Sequence, residues 1–226
     1  MSTIRYPTIA LTVSLAASLL PATAANLFEG NEAIPSDAIV LFDGKDLSKW
    51  TGGGSEDRGG WKIENGYAVA GGGSIYTKQK FKDCQLHVEF WLPLMAGEQG
   101  QGRANSGVFL QDAYEVQILD SYGLRSNGGD CGAIYSISAP MVNACRPPEH
   151  WQSFDIFLRA ARFDANGKKV ASARMSVLHN GVWIQENVEV PRPTPGGGDG
   201  PKDPGSVQLQ DHGCPIRFRN IWLRPL

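Results

Sequence analysis

Long membrane-spanning apolar runs, a marked excess of either charge and extended helical periodicity are all missing from this 226-residue chain. The apolar run Ile9 to Leu20 is roughly half of the ~20 residues that a membrane-crossing helix requires. Basic and acidic residues number 21 and 23 and are interspersed, so the chain offers neither a nucleic-acid footprint nor a basic stripe for a membrane surface. Cysteine is scarce, with four residues and no C-x-x-C or H-x-x-x-H spacing, which disfavours a zinc-finger scaffold. The absence of a long 3.6-residue pattern excludes a helical bundle.

What is present begins with an address. Arg5, the short apolar run and Ala22-Thr23-Ala24 form the charged start, core and small-x-small cleavage pattern of a signal peptide over residues 1–24. The expected product is exported, to the periplasm or beyond, and is not held by a membrane after cleavage. Residues 25–226, about 200 in all, are enough for one well-buried core and too few for two domains. In an exporting context Cys84, Cys131, Cys145 and Cys214 allow two disulfides in three pairings. The Cys131–Cys145 pair is favoured by its spacing, since closing a loop of about 15 residues stabilises by roughly 3 kcal/mol in the chain-entropy model.

The remainder reads as short alternating segments between glycine-rich turns, which predicts antiparallel sheets. In Cys84 to Trp91, Leu86, Val88 and Phe90 point to a core while His87, Glu89 and Trp91 point away. Further strands are expected at 68–69, 106–110, 114–119, 153–162, 171–178, 182–190, 206–210 and 216–223. Asn166-Gly167 and Asn180-Gly181 suit hairpin turns that need positive φ. The proline- and glycine-rich Pro191 to Pro204 reads as a surface loop. So many strands in one domain predict an all-β, two-sheet antiparallel sandwich or jelly roll.

The stretch Asn105 to Ser121, NSGVFLQDAYEVQILDS, carries polar residues where packing alone does not require them. Glu115 and Gln117 share one strand face, while Val116 and Ile118 face the core. Asp120 has the opposite parity and joins Glu115 only through a β-bulge near Leu119. The run EVQILD resembles the E-x-D-x-x-E active-site strand of the lichenase and laminarinase glycosidases. Gln117 and Asp120 depart from its second and third acidic positions, which counts against a standard pair of catalytic carboxylates.

A broader resemblance covers nearly the whole chain after the leader. LFDGKDLSKW at 41–50, WKIENGYA at 61–68, the NSGVFL and YEVQILD block, GAIY at 132–135, PPEHW at 147–151, HNGV at 179–182 and the ending LQDHGCPIRFRNIWLRPL together resemble the 3-keto-disaccharide hydrolase domain. That resemblance implies a concanavalin A-like jelly roll acting on a sugar already oxidised at C3 by a separate sugar 3-dehydrogenase. A 3-ketone acidifies the C2 proton, so one base and one oxyanion stabiliser suffice to expel the C1 substituent before water adds.

On this reading Glu115 is the leading base candidate, Asn105 and Gln117 are hydrogen-bond donors to the ring, and Asp120 is a leaving-group acid. Glu89, if its strand lies near Glu115, is a second carboxylate whose approach would raise one of the two pKa values, with pairing to His87 or an arginine as the equal alternative. His179 and His212 are candidate acid, base or metal ligands, and with Glu89 and Glu115 they define a mixed site in which a divalent metal stays open as a cofactor. Tyr135 and Trp151 border the Cys131–Cys145 segment and are candidates for stacking on the sugar, with Arg103 at the rim. A non-catalytic lectin-like module and a conventional β-glucanase remain alternatives, because the architecture hosts all three.

Overall fold

The computed structural model describes residues 34–54 and 60–226. The leader expected over residues 1–24 lies outside them.

Fifteen strands alternate along the described chain: β1 (Ile39–Phe42), β2 (Trp50–Gly52), β3 (Lys62–Glu64), β4 (Tyr67–Val69), β5 (Ile75–Thr77), β6 (Cys84–Trp91), β7 (Ser106–Leu110) and β8 (Tyr114–Ile118), then β9 (Trp151–Arg159), β10 (Arg162–Phe163), β11 (Lys169–Ala171), β12 (Ala173–His179), β13 (Val182–Val190), β14 (Val207–Leu209) and β15 (Arg217–Pro225). A large sheet runs β13-β12-β9-β6-β15-β4-β3, with β1 also paired to β15. A smaller one runs β2-β5-β14-β7-β8, and β10 and β11 form a separate hairpin. The named pairings are antiparallel, and the two sheets stack as a concanavalin A-like jelly roll.

The period-two pattern sets the layers. Leu86, Val88 and Phe90 of β6, Phe154, Ile156 and Leu158 of β9 and Met175 and Val177 of β12 meet Val108, Leu110, Tyr114, Val116 and Ile118 of the small sheet in one core. Strands β6, β7 and β13 have the expected limits. Asn180 and Gly181 take φ of 52° and 78° between β12 and β13, the paired positive angles of a tight hairpin.

The outer face of β6 is not solvated. His87 and Glu89 are both only 2% exposed. His87 stacks on Trp222 with centroids 5.0 Å apart, and its Nδ1 lies 2.9 Å from Asp155 on β9. Its Nε2 is 3.8 Å from Glu89, an ion-pair distance and not a hydrogen bond. Burial opposes a charge on this imidazole, but Asp155 and Glu89 outweigh it and raise its pKa to about 9. Glu89 is in turn held by Arg219 at 2.6 Å and Asn220 at 2.8 Å, and these partners outweigh burial to keep it below the ordinary glutamate range.

The glycine-rich loop at 191–204 packs more closely than its composition suggests. Thr194, Gly198 and Lys202 donate backbone hydrogen bonds to the carbonyls of Ala113, Asp112 and Gln111 in the β7–β8 turn. A Cβ on Gly197 would lie 2.4 Å from the Ala113 carbonyl oxygen, so glycine there permits backbone-to-backbone contact. That turn needs support, because Gln111 and Asp112 both hold positive φ, 54° and 58°, without being glycine.

Two outcomes follow. Gly197→Ala forces the loop from the turn and lowers stability by about 1–3 kcal/mol in denaturant unfolding, whereas Gly200→Ala, which meets open space, leaves it unchanged; equal effects would remove close packing as the reason for the loop's glycines. The raised His87 pKa means that its stabilisation is fully present below about 6.5 and is lost as pH rises through about 9. The melting-temperature deficit of His87→Phe is therefore largest at pH 6 and shrinks by pH 10, and a pH-independent deficit would assign the loss to packing.

Candidate active site

Strand β8 builds the site. Its pairing with β7 sets Phe109 opposite Glu115 and Gly107 opposite Gln117, so all four share the face turned away from the core. The Glu115 carboxylate folds back over Gly107, where a Cβ would stand 2.2 Å from its Oε1. A side chain at Gly107 would force the carboxylate to move. The backbone beside it is equally fixed, since the Thr194 hydroxyl accepts the Glu115 N–H at 3.0 Å and donates to the Ala113 carbonyl at 3.1 Å. On the far edge of β8, Tyr135 N–H donates to the Glu115 carbonyl and Gln117 N–H to the Ala133 carbonyl.

A patch of amides surrounds the carboxylate. One terminal atom of the Gln117 amide lies 2.9 Å from Glu115 Oε1 and 3.0 Å from the Ser106 carbonyl. A carbonyl only accepts, so that atom is the nitrogen and Gln117 donates to both. The other end of the amide is 2.8 Å from the Gln101 side chain. Asn105 donates to the Gln101 backbone carbonyl at 2.8 Å, and its side chain approaches that of Gln117 to 3.4 Å. Glu115, Gln117 and Asn105 are buried, while Gln101 is exposed and Tyr135 half-buried. Gln210 joins the same face, because its N–H donates to the Gly107 carbonyl, and its buried side-chain oxygen has no hydrogen-bond partner.

Burial alone pushes Glu115 up to about 8, with no charged neighbour contributing. A carboxylate so placed is a weak acid and a correspondingly competent base near neutral pH. The Gln117 N–H opposes the shift by favouring the ionised form.

The structure sorts the remaining candidates. Asp120 follows β8 and forms an ion pair with half-buried Arg103 at 2.8 Å, so the two act as one unit. Exposed His212 follows β14, beyond Gln210. Glu89 and Trp151 do not join Glu115. Both lie on the outer face of the large sheet, across the core from the outer face of the small one, and Trp151 is covered by the Arg219 guanidinium at 4.0 Å. His179 is also elsewhere. It continues the inward phase of Met175 and Val177 and packs edge-on to Phe154 at 4.8 Å inside the core. The mixed metal site drawn from Glu89, Glu115, His179 and His212 is therefore not assembled. The expected disulfide is not formed either: Cys131 and Cys145 are near neighbours but free thiols, as are Cys84 and Cys214.

Gly107, Thr194, Gln101 and Gln210 were missed by sequence reasoning. The one signal for them was a glycine inside a strand, which marks a close approach; the others reach the site from separate loops.

Comparison with curated proteins gives no match. Among solved structures, a protein of Parabacteroides distasonis assigned as a glycosyl hydrolase is 40% identical, with a TM-score of 0.75 and 84% of each chain covered. Two more from that organism with the same assignment are 19% and 23% identical, with TM-scores of 0.62 and 0.58. They cover 87% and 84% of this chain and 99% of their own, and show the shared fold. The model of the 3-keto-alpha-glucoside-1,2-lyase-like domain matches residues 37–224, and the chain belongs to that family.

Proposed function

We propose that this protein is an exported glycoside-acting enzyme that cleaves the glycosidic bond of 3-keto-glucosides, with Glu115 as the base. The observation that carries this reading is a buried carboxylate, raised by burial alone and set among amide donors. Membership of the 3-keto-alpha-glucoside-1,2-lyase-like family supports the choice of substrate class.

In the proposed reaction Glu115 takes the C2 proton, whose acidity comes from the adjacent C3 ketone. The electron pair of that C–H bond generates an enolate with charge on the C3 oxygen. Asn105, whose side chain lies beside the Gln117 amide, is the residue placed to donate to it, while the two Gln117 N–H bonds stay on Glu115 and the Ser106 carbonyl. Collapse of the enolate forms the C1–C2 double bond and expels the C1 oxygen substituent, which takes up a proton. Water then adds across the double bond, with its oxygen at C1 and a proton returned to C2, so the net change is hydrolysis.

A single base suits this chemistry. Ordinary glycoside hydrolysis uses two carboxyl groups, about 5–5.5 Å apart in retaining enzymes and about 6.5–9.5 Å apart in inverting ones. Here Gln117 occupies the neighbouring position on the strand face, and Asp120 is engaged with Arg103. Half-buried Tyr135 borders the amide patch as a stacking surface for the ring. The substrate requires a separate dehydrogenase that oxidises C3 beforehand.

Incubation of the leader-free protein with 3-keto-trehalose is expected to release glucose and 3-ketoglucose, while trehalose is untouched. Below pH 8, kcat/KM should rise about tenfold per pH unit and level off above it, as for one essential base. Hydrolysis of unoxidised glucans would return the protein to conventional glycosidases, and sugar binding without cleavage would make it a binding module. Glu115→Gln is expected to lower kcat by about 10²–10⁴-fold while retaining sugar binding. A folded pKa of about 8 also means that Glu115 costs stability progressively as pH rises from about 4.5 through 8. The variant should therefore melt higher than wild type at pH 9 and not at pH 4, and unchanged turnover would remove Glu115 from the mechanism.

A further inference from the structure

Among the described residues, Cys131, Cys145 and His179 are the one group of three or more metal-ligating side chains whose ligand atoms lie together, all within 4.8 Å of one another. The group lies at the end of β12 and the segment after β8, and the reaction proposed above does not use it.

His179 is fully buried, with the Phe90 and Phe154 rings against it at 5.9 and 4.8 Å. One of its nitrogens is accounted for. Nε2 lies 2.9 Å from Gln152 Oε1, and that same oxygen accepts the Arg146 backbone N–H at 2.9 Å. The Gln152 atom is therefore an acceptor and Nε2 carries the ring proton. Nδ1 is left with a lone pair, completely buried and without a hydrogen-bond partner. An orphaned acceptor in an apolar shell is costly and calls for a ligand.

We propose that Cys131, Cys145 and His179 bind a thiophilic cation, Zn²⁺ in the first instance, through two thiolates and the imidazole Nδ1. Zn–S bonds of about 2.3 Å and Zn–N bonds of about 2.0–2.1 Å place tetrahedral ligand atoms about 3.5–3.8 Å apart. The observed spread closes to this with an adjustment of about 1 Å, which half-buried Cys145 can supply. Gln152 holds the opposite ring N–H, the arrangement that orients a histidine toward a metal. A disulfide between the same cysteines would leave Nδ1 orphaned, whereas a metal satisfies all three ligand atoms. Binding releases the two thiol protons to solvent, and water takes the fourth position. Burial, then the neighbouring Cys145, keep the Cys131 thiol strongly protonated until a cation arrives.

The site would fasten the segment bearing Ala133 and Tyr135, which runs beside the Glu115 strand, to the end of β12. Its role is structural and distinct from bond cleavage.

The test is metal analysis of the full chain purified under reducing conditions, loaded with Zn²⁺ alone and dialysed. Wild type should retain one zinc per chain, show thiolate-to-cobalt charge-transfer absorption when loaded with Co²⁺ instead, and melt about 5–10 °C higher at a zinc concentration of 100 times Kd. Cys145→Ser, at the half-buried ligand and least harmful to folding, and His179→Gln should both lose the zinc and the shift, while Cys214→Ser keeps them. Intact-mass detection of a Cys131–Cys145 disulfide that reforms in the presence of zinc, or reduced wild type retaining no metal, would overturn the proposal.

Discussion

The arrangement of the small sheet depends on one contact, the Glu115 carboxylate lying over Gly107. A carboxylate removed from water without a cation is destabilising, and it holds its place only because its surroundings are over-determined. Gly107 leaves the space and Thr194 holds the strand backbone. Thr194 is itself held by a loop whose glycines allow its backbone to rest on the β7–β8 turn. That turn carries two non-glycine residues at positive φ, which the loop's hydrogen bonds compensate. A run that looks like slack chain thus supports a carboxylate that burial disfavours.

The fold places a second buried carboxylate, Glu89, on the opposite outside face and treats it in the reverse way. Glu89 has Arg219, Asn220 and a protonated His87, so it stays ionised and serves stability. Glu115 has amides and no cation, so it resists ionisation. Burial is similar at 2% and 3% exposed, and the neighbours decide the outcome. Divergent pKa values in one chain separate a structural acid from the candidate base.

Much of this was legible in the sequence. Alternation gave the limits of β6, β7 and β13, and Asn180-Gly181 announced its hairpin, because both signals are local. Parity within β8 placed Glu115 and Gln117 on one face. What parity cannot give is the sheet a strand joins, so Glu89 had the correct orientation relative to the core and the wrong side of the sandwich, and Trp151, chosen for its place beside the Cys131–Cys145 segment, lies on that side as well. His179 did carry a readable signal, since Ala173, Met175 and Val177 put it in the inward phase; its place beside a turn drew attention from that. The Cys131, Cys145 and His179 cluster has no metal-binding spacing along the chain, because two points of the β8–β9 segment and the end of β12 come together only in three dimensions.

The energetic cost at Glu115 bears on the choice between binding and chemistry. A binding module gains nothing from a carboxylate that burial drives toward protonation, because a neutral amide would hydrogen-bond a sugar hydroxyl as well and pack with less penalty. A proton-abstracting base gains basicity from the same penalty, provided that its pKa stays near the working pH. The Gln117 N–H is suited to that balance: it keeps the anion accessible without the full neutralisation that a cation would bring. A substrate whose ketone has already weakened the C2–H bond asks for no stronger base, which is why one desolvated glutamate among amides is sufficient for the proposed elimination and a second carboxylate is not required.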